Sequence, residues 1–354
     1  MVAVHLRSQT PETLAAAFPG LPLAVARRVL HRVVGEDRDD IAGVRGLSKA
    51  FASELRARGR LDRLLVIDRR RSAVDPFVKY LFRATDGRVF EAVRIPLEKP
   101  RFSVCVSSQV GCALGCTFCE TGRLGFLRNL EPWEMVEQAL TVRRESPERP
   151  LTGAVFQGQG EPFQNYDNVV RAARILRDPS GPRIGSDRIT ISTVGLLPQI
   201  ERYTAEGHPY RLILSLTSAF SEKRARLVPV TARYGVPELA AAMRRHAGAR
   251  GGPVNLAWVL ISGYNTGAEE AREHARLFRG VSVRLSVIDV NDPTGGFERA
   301  TDEERGRFLS ALADHGIAFV RRYSGGPDID AACGMLASRA RGGAAHEPPA
   351  APAS

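Results

Sequence analysis

Apolar residues along this chain keep different rhythms in succession. Between residues 12 and 59 they recur every three or four positions, in ETLAAAF, LPLAVARRVLHRVV and LSKAFASELRARG, separated by Gly, Pro or polar residues. That spacing predicts three amphipathic helices. The period then falls to two in RLLVIDR, FVKYLFRAT and RVFEAVRIPL, which predicts half-buried strands with a hairpin turn at Asp86-Gly87. Residues 1–100 are thereby expected to form a small accessory domain, helices first and short strands after.

From Phe102 onward strand-like and helix-like segments alternate. FSVCVS, TGAVFQG, RITISTVG, RLILSLT, VNLAWVLI, VRLSVID and AFVRRY read as strands. EPWEMVEQALTVRRE, YDNVVRAARILRD, VPELAAAMRRHAG, GAEEAREHARLF and DEERGRFLSALADHG read as helices between them. The repetition predicts an α/β fold with parallel strands and crossover helices, a partial (β/α)6 barrel of the TIM type over residues 101–338. In such a barrel the chemistry sits at the carboxyl ends of the strands. Residues 339–354, rich in Ala, Pro and Gly without apolar period, are expected to be a disordered tail.

With 44% apolar and 25% charged residues in 354, the composition excludes a mainly disordered or fibrous chain. No apolar run approaches the roughly eighteen residues of a membrane span. The opening MVAVHLRSQTPE lacks a signal-peptide pattern, so the expected location is the cytoplasm, away from membrane. Fifty Lys plus Arg against thirty-nine Asp plus Glu leave a charge of +11, which favours polyanionic partners such as nucleic acid. Nineteen basic and twelve acidic residues fall in the accessory domain, so +7 of that excess is there.

Cys105, Cys112, Cys116 and Cys119 crowd into fifteen residues, while Cys333 stands alone. This uneven pattern points to metal or redox chemistry rather than a disulfide framework. Cys112, Cys116 and Cys119 have C-x3-C-x2-C spacing in the loop after the first barrel strand. A structural zinc would need a fourth ligand, with Cys105 or a histidine as candidate. On a [4Fe-4S] cluster, three thiolates leave one iron open to substrate or cofactor. Phe118, an aromatic before the last cysteine, matches the radical S-adenosylmethionine (SAM) signature, in which that iron chelates the amino and carboxylate groups of SAM. Other strand ends carry candidate SAM contacts. Gly158-Gln-Gly160-Glu161-Pro162 allows close backbone approach and offers a carboxylate to the ammonium. Ser192, the run Ser215, Leu216, Thr217, and Asn291 stand at the ends of three more strands.

These segments resemble the RlmN/Cfr radical SAM RNA methyltransferases. CVSSQVGCALGCTFC followed by TGRLGFLRNL, then GQGEPFQNYDNV, RITISTVGLLPQI and DIDAACGMLA, are similar to the family's segments in the same order, over roughly residues 90–340. The resemblance implies a radical SAM barrel with an RNA-docking accessory domain, and one [4Fe-4S] cluster per chain on Cys112, Cys116 and Cys119. It implies two S-adenosyl-L-methionine molecules per turnover, contacted by Gly160, Glu161, Ser192, Ser215, Leu216, Thr217 and Asn291. Cys333 falls on the cysteine that is methylated during turnover, Cys105 on its disulfide-forming partner, and Glu91, in FEAVRIP, on the proton acceptor.

The target chemistry explains why lone cysteines are needed. Amidine carbons of adenine are electron-poor and carry no nucleophilic lone pair, so polar attack on a sulfonium methyl fails. In the route the resemblance implies, Cys333 takes a methyl from one SAM, and a 5′-deoxyadenosyl radical from a second SAM removes a hydrogen from it. The carbon radical adds to the ring, Glu91 or a substitute takes the ring proton, and Cys105 attacks sulfur to release product as a disulfide. The implied partners are structured RNA, 23S rRNA before tRNA, and an external electron donor such as flavodoxin or ferredoxin, with carbon two of adenine favoured over carbon eight and a monomeric enzyme.

The chain also departs from the family. Thr217 replaces a histidine, VIDVNDPTGG replaces an apolar, proline-rich loop, and YSGGPDIDAACG lacks an Arg-Gly-Asp. Gln157 and Gln159 stand where methionines are usual. The alternatives are a radical SAM reaction on a non-RNA substrate, and a non-catalytic zinc or RNA-binding protein.

Overall fold

The computed structural model describes residues 3–98 and 100–337. The tail expected at 339–354 lies outside the described residues. Three strands, Leu65–Arg71 (β1), Val78–Arg83 (β2) and Val89–Leu97 (β3), pair antiparallel. Seven more follow: Arg101–Val106 (β4), Leu151–Phe156 (β5), Ile189–Thr193 (β6), Arg211–Ser215 (β7), Val254–Leu260 (β8), Val283–Asp289 (β9) and Ala318–Arg321 (β10). These seven are mutually parallel. All ten belong to one sheet whose order runs from β10 down to β1, so among the described residues the sheet is open, with β10 and β1 at its edges.

The sequence places β1–β3 in an accessory domain ending at residue 100. In the structure β3 pairs antiparallel with β4, Val93 opposite Cys105, so these strands continue the barrel sheet. Alternation of apolar residues reports that a strand has a buried face but not which sheet it joins.

The helices α1 (Pro11–Ala17), α2 (Leu23–Leu30) and α3 (Lys49–Arg58) form where the period predicts. Thr10 caps α1 and Ser48 caps α3 through their side-chain oxygens. This unit docks on α4 (Pro132–Arg144), the crossover from β4 to β5. Residues 132–142 are consequently buried without interruption, since one face meets the sheet and the other meets the accessory helices. Buried Arg7 reaches the carbonyls of Val33 (3.1 Å) and Leu61 (3.1 Å) and lies 3.7 Å from buried Glu137 of α4. Ser8 Oγ accepts from the Trp133 amide at 3.1 Å, and His5 stacks on the Trp133 ring.

The remaining crossovers are α5 (Tyr166–Arg177), α6 (Leu197–Ala205), α7 (Ser221–Leu227) with α8 (Val236–Arg250), α9 (Ala268–Leu277) and α10 (Asp302–Asp314). No helix among the described residues is long and apolar enough to cross a membrane.

Candidate active site

The carboxyl ends of the parallel strands and the segment 322–336 surround one cavity. Its lining includes Cys105, Cys112, Cys116, Cys119, Gly160, Glu161, Ser192, Ser215, Asn291 and Cys333. Glu91, Leu216 and Thr217, also singled out from the sequence, do not line it.

The three-cysteine loop hangs from a short antiparallel ribbon, Gln109–Gly111 with Phe126–Asn129. Gly111 has φ +76°, and a Cβ there would lie 1.9 Å from the Gly125 carbonyl oxygen, so the ribbon closes over a glycine. Burial pushes the Cys112 thiol up to about 12, and burial likewise raises Cys116 and Cys119. Bare thiolates are disfavoured here, and ionisation calls for a metal on sulfur. Among the described residues no three His, Cys, Asp or Glu side chains converge closely enough to share one ion. A [4Fe-4S] cluster does not require that convergence, because each thiolate takes a different iron. No histidine lines the cavity, and Cys333 raises the thiols of both Cys105 and Cys119. The donor set, three thiolates from one loop beside an open cavity, thus fits a three-thiolate cluster.

The GQGEP segment follows β5. Gly160, with φ +95°, would drive a Cβ to 2.5 Å from Gln109 Cβ. Glu161 caps the turn Pro162–Asn165, accepting from the Phe163 amide (2.9 Å) and the Val194 amide (3.0 Å). Burial raises its carboxyl, and the Val194 amide opposes this. The Thr193 side chain also bonds it, and of about four acceptor sites on a carboxylate one is left for an ammonium. Asn291 is oriented by donating to the Asp289 carbonyl (3.2 Å) and accepting from Arg299.

Cys333 arrives on an arm stitched at both sides. Asp75 accepts from the Tyr323 hydroxyl and the Gly326 amide, both at 2.8 Å. Asp328 accepts from Ser72 (2.7 Å) and the Ala73 amide (2.8 Å). Toward the cluster loop, the Glu120 amide donates to the Gly334 carbonyl (2.7 Å) and Thr121 donates to the Leu336 carbonyl (2.8 Å). The Cys333 amide donates to Ser324 Oγ at 2.7 Å. Burial pushes the Cys105 thiol up to about 12, Cys333 adds to this, and Arg322 opposes it. All five cysteines are free thiols, so the disulfide expected between Cys105 and Cys333 is not formed in this structure.

Residues 106–278 match the radical SAM superfamily. A probable RNA methyltransferase from Myxococcus xanthus is 45% identical over 98% of each chain. The dual-specificity RNA methyltransferase RlmN of Syntrophotalea carbinolica is 39% identical, covering 88% of this chain and 82% of that one. The crystal structure of a radical SAM methyltransferase from Sphaerobacter thermophilus matches with a TM-score of 0.85 and 38% identity, over 96% of this chain and 100% of that one. The chain belongs to the RlmN-like radical SAM RNA methyltransferases. Membership implies a [4Fe-4S] cluster and SAM, in keeping with the donor set above.

Within this radical SAM methyltransferase, Glu91 lies fully buried on β3, its Oε1 3.0 Å from Lys79 Nζ on β2. Lys79 also donates to the Asp330 carbonyl of the Cys333 arm at 3.3 Å. Sequence reasoning passed over Lys79, although a lysine inside the apolar run FVKYLF is a signal of a buried partner. Gln159 accepts from the Glu91 amide (3.3 Å) and takes the Ser108 amide on its own carbonyl (2.8 Å), tying the GQGEP loop to β3 and the cluster ribbon.

Leu216 is core, and Thr217 is buried at φ +64°, a left-handed conformation costly for a β-branched residue. Their contribution is main-chain: the Leu216 carbonyl accepts from Arg224 (2.8 Å) and the Thr217 carbonyl accepts from Asn265 (2.6 Å). Arg224, also missed from sequence, is fully buried and joins the ends of β6 and β7 through Val194 and Ser215. Burial lowers it to about 10, opposed by Cys116 and Glu161. An arginine between Lys and Ala in a polar helix carries no sequence sign of burial.

Proposed function

We propose that this enzyme transfers a methyl-derived carbon to a ring carbon of adenine in structured RNA, carbon two ahead of carbon eight, with 23S rRNA the first target and tRNA the second. The observation that carries the reading is the convergence of Cys105 and Cys333, over two hundred residues apart in sequence, on the cavity of the cluster-loop cysteines. An enzyme that used SAM solely as a radical source would have no need of that pair.

Cys112, Cys116 and Cys119 would hold the cluster. When bound, it supplies the electron that splits SAM into methionine and a 5′-deoxyadenosyl radical. Gly160, Glu161, Ser192, Ser215 and Asn291 orient SAM from the strand ends, with Leu216 and Thr217 contributing through the backbone. Cys333 first accepts a methyl by displacement from one SAM, then gives up a hydrogen from that methyl when a second SAM is consumed. After the carbon joins the ring, the ring radical must give up one electron, which the oxidised cluster would take back, and a proton to Glu91 or a substitute; the Cys105 thiolate then attacks the Cys333 sulfur, and the released carbon picks up a proton to become the methyl group. Product leaves with a Cys105–Cys333 disulfide, which an external reductant resets, and an external electron donor such as flavodoxin or ferredoxin would serve the cluster.

RNA affinity comes from phosphate contacts on the accessory unit. Arg27, Arg28, Arg45, Lys49 and Arg56 lie exposed there on α2, α3 and their connection. We place the enzyme in the cytoplasm as a monomer. Nucleoside mass spectrometry of RNA from cells with and without the gene tests the reading. Loss of one ring-methylated adenosine on deletion is expected, and an unchanged nucleoside profile would refute it.

A further inference from the structure

The segment Tyr323–Pro327, immediately before DIDAACG, leaves β10 at the rim of the cavity. Tyr323 is 65% exposed, yet it is held at both ends. Its hydroxyl donates to Asp75 at 2.8 Å, and its ring meets Phe77 edge-on with centroids 6.2 Å apart. A long exposed side chain without anchors samples several rotamers, whereas this one presents a fixed aromatic face to solvent.

Tyr323 lines both the cysteine cavity and an adjoining cleft of about 440 Å³, inside the range of roughly 300–1,000 Å³ for small-ligand sites. Arg299, Arg321 and Arg322 line the same cleft. Arg322 donates to Gln157 at 3.1 Å, and Arg299 is tied to Asn291. Arg321 lies 3.3 Å from Asp289, which Arg305 also pairs at 3.2 Å. Asp289 is the carboxylate of the cleft, so three guanidinium groups outnumber it. Asp75 and Asp328 are committed to the amides of Gly326 and Ala73.

We infer that this cleft receives an unstacked nucleotide adjoining the target adenosine, its base stacked on Tyr323 and its phosphate met by Arg299, Arg321 and Arg322. The inference rests on the RNA reading above. A base extruded into the cavity leaves its neighbours exposed, and single-stranded RNA is recognised by stacking splayed bases on aromatic rings and Arg planes.

The test is fluorescence anisotropy of the full chain with a labelled hairpin oligoribonucleotide carrying an adenosine in its loop, across a salt series. Tyr323→Ala should weaken binding about tenfold without changing the salt slope, and Tyr323→Phe should stay within about threefold of wild type. Arg322→Gln should reduce the slope by about one. Wild-type affinity in Tyr323→Ala overturns the cleft alone. Absence of salt-dependent binding by the wild-type chain overturns the RNA reading, and the cleft with it.

Discussion

The amide of Glu120, next to the last cluster-loop cysteine, donates to the carbonyl of Gly334, next to Cys333, at 2.7 Å. The loop that would hold the cluster ligands is therefore tied directly to the cysteine expected to carry the methyl. Radical transfer depends steeply on such placement, because a reacting atom misplaced by about 1 Å can cost a hundredfold in rate.

Gly334 tests this link. Its φ is +90°, and a Cβ would meet the Phe118 carbonyl oxygen at 3.2 Å. Gly334→Ala should lower methylation at least tenfold while iron content stays at the wild-type level. Wild-type turnover in that variant would show that the Cys333 arm is positioned by other contacts.

Anaerobically purified protein should contain iron and labile sulfide, and Cys116→Ala should lose both. Cys333→Ala and Cys105→Ala should retain them, with the Cys105 variant accumulating a covalent protein–RNA adduct, since the thiol that releases product is gone. Zinc without sulfide in the wild-type protein would contradict the assignment of Cys112, Cys116 and Cys119.

The Lys79–Glu91 pair lies under the arm with Lys79 4% and Glu91 0% exposed. Removing one member leaves a buried charge uncompensated, so Lys79→Met should destabilise by about 3–5 kcal/mol in urea unfolding. Joint replacement by Met and Leu should recover much of that loss. Equal destabilisation by the single and double variants would mean that the charges are not coupled.

His274 is buried against Trp258 and Phe278, and burial lowers it to about 4 from 6.5. Between those values the unfolded chain binds a proton that the folded chain refuses, so its contribution is complete above pH 6.5 and is lost as pH falls toward 4. The loss is on the order of 3 kcal/mol. His274→Phe should remove this part of the acid sensitivity, measured by urea melts at pH 7 and 4.5. His5 and His246, lowered to about 4 by burial first, keep the remainder. Unaltered acid sensitivity in the variant would contradict the burial argument.

Much of the site was legible because its signals are local. The spacing of Cys112, Cys116 and Cys119 needs no tertiary knowledge, and the parallel strands from FSVCVS to AFVRRY were legible as short runs between helix-like segments, although the last, Ala318–Arg321, is exposed throughout. What stayed hidden depends on contacts between distant segments. The alternation in β1–β3 described a buried face but could not name β4 as the neighbour. Leu216 and Thr217 stand beside Ser215, yet the turn buries their side chains while Ser215 faces the cavity. Lys79 signals burial from within FVKYLF but not that its partner is Glu91 on the next strand, and Arg224 looks like a surface residue until the ends of β6 and β7 close around it.

The central claim is that carbon reaches RNA through Cys333. Reconstituted enzyme incubated with methyl-deuterated SAM and no RNA, then digested for peptide mass spectrometry, reads it directly. The account predicts a labelled methyl on Cys333 that moves to an adenine ring carbon when RNA and reductant are added, with no RNA methylation by Cys333→Ala. Wild-type RNA methylation by Cys333→Ala, or an unlabelled Cys333 in an active preparation, would contradict it.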